Sequence, residues 1–140
     1  MAVSTVSNIA PEWELVWENE SPGANFAAQT IDTGKAVGTI NWIKIEGQLN
    51  TTTLGRHQYF EIPANPYTNA IYTMNIGNGG FHQPNSSFTP YIYSRQIQVD
   101  TALYDTVRLK FTTGYRKVTN ATTAATSSTA YAIPLRIWVR

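Results

Sequence analysis

The chain contains no cysteine. Disulfides, thiolate metal sites and a thiol nucleophile are all excluded, and the redox compartment stays open. Charge is scarce as well: charged residues make up 14% of the sequence, against about 25% in an ordinary soluble domain. The net charge is +1 and Lys and Arg never form a run. A groove that tracks phosphates needs clustered cations, so no nucleic-acid partner is expected. No segment approaches the ~18 consecutive apolar residues of a membrane span. The first ten residues, Met1 to Ala10, lack a cationic start followed by an apolar stretch and do not read as a secretory signal. Ala-rich and charged helical stretches are missing, and no repeat of 20–50 residues points to a solenoid or propeller. Only two histidines are present.

In place of charge stand Thr, Asn, Ser, Gln and Tyr, neutral groups that hydrogen-bond without a desolvated ion. This chemistry suits close-packed assemblies and sugar contacts, and a net charge near zero favours association. At 140 residues the chain has the length of one domain, long enough to bury a core of its own.

The apolar pattern alternates with a period of two. Trp13, Leu15 and Trp17 fall on one side of a first strand, with Glu14, Val16 and Glu18 on the other. Ser21-Pro22-Gly23 is turn chemistry. A short strand follows from Phe26 to Ile31, closed by Asp32-Thr33-Gly34-Lys35. Val37 to Leu49 is the longest candidate, with Ile43, Ile45 and Leu49 on one face and Gly47 as a candidate bulge. Further strands are read at 58–62, 70–76, 91–99, 106–111 and 131–139. Tyr131, Ile133, Leu135, Ile137 and Val139 are expected on a single face of the last. Thr119 to Thr129 reads as an Ala/Thr/Ser loop, and Thr101 to Asp105 allows one helical turn at most. Eight or nine strands at these spacings predict an all-β fold, an antiparallel, jelly-roll-like β-sandwich over residues 13–140, with residues 1–12 as an arm that docks elsewhere.

Signs of catalysis are few. His57 and His82 supply too few ligands for a zinc site, so no metal or cofactor is expected. Glu12, Glu14, Glu18 and Glu20 cluster, but a glycosidase pair needs one acid in an apolar pocket. Glu14 and Glu18 instead alternate onto a polar side. Gly77-Asn-Gly-Gly80 lacks the Gly-Lys-Ser/Thr ending of a phosphate loop, and no Gly-x-Ser-x-Gly elbow is present. Sequons begin at Asn19, Asn50, Asn85 and Asn120 and read as by-products of an Asn- and Thr-rich composition. The chain is expected not to be an enzyme.

Two stretches are more specific. One is Trp13-Glu-Leu-Val-Trp-Glu-Asn-Glu-Ser-Pro-Gly-Ala-Asn-Phe-Ala-Ala-Gln-Thr-Ile31. The other begins at Tyr93-Ser-Arg-Gln-Ile97, continues through Val107 to Tyr115 and the Ala/Thr/Ser loop, and ends with Tyr131-Ala-Ile-Pro-Leu-Arg-Ile-Trp138. Together they resemble a C-terminal, head-type module of tail-fibre and receptor-binding proteins from phages and prophages of Gram-positive bacteria. That module opens on a Leu-Trp-x-Asn-x-Ser-Pro…Phe-Ala-Ala-Gln-Thr pattern and closes on an Ile-Pro-x-x-Ile strand. The match runs from about residue 13 to the end, with a divergent middle and a Trp138-Val139-Arg140 ending in place of the family's Tyr-Gly and basic one.

The resemblance implies a virion protein assembled in the bacterial cytoplasm, in contact with other virion proteins, that attaches to a host cell-wall saccharide or teichoic-acid-like polymer. A capsid-decorating or head-fibre protein with a structural role is the alternative. Asn78, Phe81, His82, Gln83 and Asn85, joined by Tyr67 and Asn69, are the local candidates for holding saccharide, against the simpler reading of ordinary loop residues. Pro134 has no N–H, so its strand is expected at a sheet edge or with a bulge there. An edge carrying Trp138 needs covering. The expectation is a homotrimer with Tyr131, Leu135 and Trp138 near the shared surface.

Overall fold

A computed structural model of the chain describes residues 12–52, 57–65, 70–77, 91–118 and 124–140. The described residues form ten strands and no helix: β1 Glu14–Glu18, β2 Gln29–Ala36, β3 Trp42–Asn50, β4 His57–Pro63, β5 Ile71–Gly77, β6 Tyr91–Asp100, β7 Thr106–Phe111, β8 Gly114–Val118, β9 Thr126–Ser128 and β10 Tyr131–Val139. They make two antiparallel sheets, a β-sandwich. One sheet has the order β1-β10-β3-β4; the other runs β2-β7-β6-β8-β9, with β5 also on β6. Ile97 of β6 is register partner to both Tyr72 of β5 and Phe111 of β7, so β5 lies on the opposite side of β6 from β7.

The core is where the alternating residues of the two sheets meet. Ile43, Ile45, Leu49 and Ile137 come from the four-stranded sheet; Met74, Ile97, Val99, Val107, Leu109 and Phe111 come from the other. Each is buried because the pleat sends every second side chain to one face. Trp17 and Phe26 join edge-to-face at 5.9 Å, and Phe26 meets Phe111 the same way at 5.8 Å. At Gly47 the sheets come so close that a Cβ would stand 2.8 Å from Met74 Sδ. Close approach, and not a bulge in β3, is what glycine provides there.

Several expectations are corrected. β10 is not an edge strand: it lies between β1 and β3. The bulge alternative is the one that holds, since the register on β3 shifts between Pro134 and Arg136, at the residue that cannot donate to the ladder. The shift breaks the single face expected for 131–139, and Ala132, Ile133, Pro134 and Leu135 are buried in succession. A second shift between Leu15 and Trp17 splits the expected Trp13-Leu15-Trp17 face: Leu15 is exposed beside Trp138, whereas Trp17 turns inward onto Phe26. Asp32-Thr33-Gly34-Lys35 does not close β2 but forms an irregularity within it. Gly34 takes φ 70°, Asp32 Oδ1 accepts its N–H at 2.8 Å, and the buried Thr33 hydroxyl donates to Val107 O at 2.7 Å. Thr101 to Asp105 is a bend, with Asp100 Oδ1 accepting from the Ala102 and Leu103 N–H groups. β8 and β9 are strands that the alternation did not reveal.

The two specific stretches of sequence meet inside the fold. Arg95 is fully buried on β6, with its guanidinium 5.2 Å from the centroid of the Phe26 ring. It donates to five backbone carbonyls: Ala132 O at 2.8 Å, Phe26 O at 3.1 Å, Tyr131 O at 2.8 Å, Thr129 O at 3.4 Å, and Thr112 O. Burial pushes its pKa down to about 10, so it is still a cation at neutral pH. Beside it, a Cβ on Gly114 would lie 2.1 Å from Tyr131 O. The Asn19 amide donates to Pro134 O at 2.9 Å and the Asn19 N–H to Leu135 O at 2.8 Å, clasping the β10 bulge. Gln48 Nε2 reaches Pro22 O at 2.6 Å. The motif residues thus hold one another and build the scaffold.

Candidate functional site

The outer face of the four-stranded sheet carries side chains that register brings into rows. Leu15, Trp138, Lys44 and Glu61 are successive cross-strand partners on β1, β10, β3 and β4, and Glu18, Arg136, Glu46 and Tyr59 form the next row. The first row is aromatic and cationic. Lys44 Nζ stands 4.8 Å from the Trp13 centroid, 4.8 Å from that of Trp138 and 5.8 Å from that of Tyr59. The Arg140 guanidinium lies 4.3 Å from the same Trp13 ring, and Tyr59 and Trp138 are tilted together at 6.1 Å. Tyr59 keeps 60% of its surface exposed, and Trp42 and Leu15 are also exposed on this sheet. Cations lodged between rings hold the aromatic surfaces in place.

The second row is a hydrogen-bonded network. Arg136 donates through Nε to Glu18 at 2.7 Å and through NH1 to Glu46 at 2.8 Å. Glu46 is almost fully buried, and its other oxygen accepts from Tyr59 OH and meets His57 Nδ1, each at 3.1 Å. The hydrogen bond to Glu46 raises the Tyr59 pKa, because losing the phenolic proton would set two anions together. Bonds to Glu18 and then Glu46 raise that of Arg136. Arg136 fills the space between the two carboxylates. Beyond it opens a cleft of about 330 Å³ lined by Glu18, Asn19, Pro22, Gln48, His57, Leu135 and Arg136. An aromatic surface beside a cleft of fixed donors and acceptors has the composition of a small-molecule or sugar site.

A second hollow lies on the outer face of the six-stranded sheet, around Thr30, Gln98, Asp100, Leu103, Tyr104, Arg108 and Lys110. There Arg108 stacks 3.7 Å from the Tyr104 centroid and faces Asp32 at 3.5 Å. The Gly34 N–H, and after it Thr106 and Arg108, hold the Asp32 carboxyl below its ordinary range. This hollow carries a single ring, where the first face gathers three around Lys44. Among the described residues no three metal-ligating side chains converge.

Of the residues singled out from sequence, Tyr67, Asn69, Asn78, Phe81, His82, Gln83 and Asn85 lie outside the described residues, as does the arm from 1 to 11. Trp138 sits in the aromatic row, and Leu135 is buried at the cleft. Tyr131 belongs elsewhere, 5.4 Å from Tyr93 and beside Arg116. The three do not form one surface. His57 has Glu46, eleven positions away in sequence, against it. Lys44, Glu46 and Tyr59 were not recognised from sequence as a site. Their outward phase was visible for Lys44 and Glu46, but the pairing of four strands was not. No protein-family model, curated protein or solved structure matches the chain.

Proposed function

We propose that this is a virion protein, a tail-fibre or receptor-binding head-type domain that attaches to a saccharide of the host surface, and that the outer face of the β1-β10-β3-β4 sheet makes the contact. The carrying observation is the set of aromatic rings, Trp13, Tyr59 and Trp138, arrayed around Lys44 beside a cleft of ordered polar groups. Rings supply flat apolar area to sugar C–H faces, and the neighbouring amides and charged groups orient hydroxyls. The resemblance of the Trp13–Ile31 and Tyr93–Trp138 stretches to phage receptor-binding modules supports the virion setting. Binding of the purified protein to host wall glycans is the test. Tyr59→Ala, a change at an exposed position, is expected to weaken it about tenfold. Unchanged binding in Tyr59→Ala and Trp138→Ala together would remove this face from the reading.

A structural role in decorating the capsid is the second reading, favoured by the exposed Leu15 and Trp42 on the same face, which suit a neighbouring virion protein or another copy in a homotrimer. Immunogold labelling of particles distinguishes tail from capsid, and native mass spectrometry gives the oligomer number.

A further inference from the structure

Three cations of the described residues are paired with carboxylates, and Lys44 is not one of them. Lys35 is paired with Glu14, Arg108 with Asp32, and Arg136 with Glu18 and Glu46. Lys44 has no carboxylate within ion-pair distance among the described residues, even though Glu61 is its cross-strand partner. Its ammonium is instead surrounded by the rings of Trp13, Trp138 and Tyr59. Arg140, on the far side of the register from Glu18, likewise meets a ring and no carboxylate among the described residues. Ring faces attract a cation but leave its N–H donors without oxygen acceptors. Two cations therefore converge on one Trp13 ring, at 4.3 and 4.8 Å from its centroid.

We infer that Lys44 selects for an acidic saccharide, one carrying a phosphate or carboxylate group. This inference rests on the reading of this face as a saccharide site. The sugar ring lies on Tyr59 and Trp138, and its anionic oxygen takes the free donors of Lys44, assisted by Arg140. A hydrogen bond between ionised partners is about twice as strong as a neutral one. The rings also hold the lysine stem in place, so less side-chain freedom is lost on binding than for a free surface lysine. The carboxylates of the adjoining row do not oppose the anion strongly, because Arg136 bridges Glu18 and Glu46.

The test is an array of neutral, phosphorylated and uronate-containing oligosaccharides, probed with the wild-type chain, Lys44→Gln and Lys44→Arg, each first shown by its fluorescence melt to be folded. The expected result is retention of acidic glycans by wild type, more weakly at high salt. Retention falls about tenfold in Lys44→Gln and recovers in Lys44→Arg; the phosphorylated and uronate arms identify the source of the charge. Retention of neutral glycans alone, or acidic glycans held equally by Lys44→Gln, would overturn the inference while leaving attachment through this face intact. Retention of no glycan would overturn the attachment reading and this inference together.

Discussion

Replacing Arg95 with methionine removes five carbonyl contacts at once and leaves most of the side-chain volume. Four of those contacts are short; at about 1.5 kcal/mol for each bond from a charged donor they contribute about 6 kcal/mol. Burying the cation, read from the fall of its pKa to about 10, costs about 3 kcal/mol. The apolar substitute escapes that cost, so Arg95→Met is expected to lose the difference, about 3 kcal/mol, a large share of an ordinary domain's stability. At about 3 °C per kcal/mol for a chain of this length, the melting temperature falls by about 10 °C. Lysine restores the charge without the planar fork, and three donors at one point cannot reach carbonyls spread over Phe26, Thr112 and Tyr131. Arg95→Lys is therefore expected to be no more stable than Arg95→Met. Denaturant unfolding followed by tryptophan fluorescence measures both. Either variant within about 1 kcal/mol of wild type would refute the view that Arg95 ties the two motif stretches together.

Gly114→Ala sets a Cβ against the Tyr131 carbonyl, a backbone atom that cannot move aside, and is expected to cost more than about 3 kcal/mol in the same assay. Gly47→Ala meets the flexible Met74 and Ile76 ends instead; a loss of about 1–2 kcal/mol is expected, partly recovered when Met74 is shortened to Val. Glu46→Gln breaks a nearly buried ion network and is expected to cost about 3 kcal/mol. It also lets the Tyr59 phenol titrate at lower pH than in wild type, which ultraviolet difference titration would show. The folded pKa of Asp32 lies below its unfolded value, so its contribution to stability is present above about pH 4 and is lost as the pH falls through the folded value. In Asp32→Asn the slope of stability against pH in that acid window should be shallower.

The sandwich was readable where alternation runs uninterrupted. Ile43, Ile45 and Leu49, then Ile97 and Val99, then Val107, Leu109 and Phe111 are buried as their phase requires, with Arg108 and Lys110 turned out. It became unreadable wherever one residue was inserted into a strand. After the shifts at Leu15/Trp17 and Pro134/Arg136 every later side chain changes face, and composition gives no sign of the insertion except Pro134 itself. The phase of β6 already placed Arg95 between Tyr93 and Ile97 on the inward side; only its charge argued against burial, and the carbonyls that accept it are scattered over the sequence. β8 escaped notice because Gly114 and its polar neighbours carry little apolar pattern. The candidate site depends on register among β1, β10, β3 and β4, which no single strand encodes, so Trp13, Lys44, Tyr59 and Trp138 could not be seen as neighbours.

The central place of β10 bears on how the molecule comes to be made. Asn19 and Pro134, 115 positions apart, and Glu18 and Arg136, 118 apart, are direct partners. While a ribosome is still working towards residue 131, β1 and β3 have nothing between them, and two ladders of backbone amides wait for the same strand. Such long-range closure is slow, on the order of milliseconds to seconds for sandwich topologies. During that interval the nascent chain exposes pairing edges to its neighbours on the polysome. Yield should therefore depend on how quickly β10 is delivered, and a slowly translated stretch before residue 131 would lengthen that exposure.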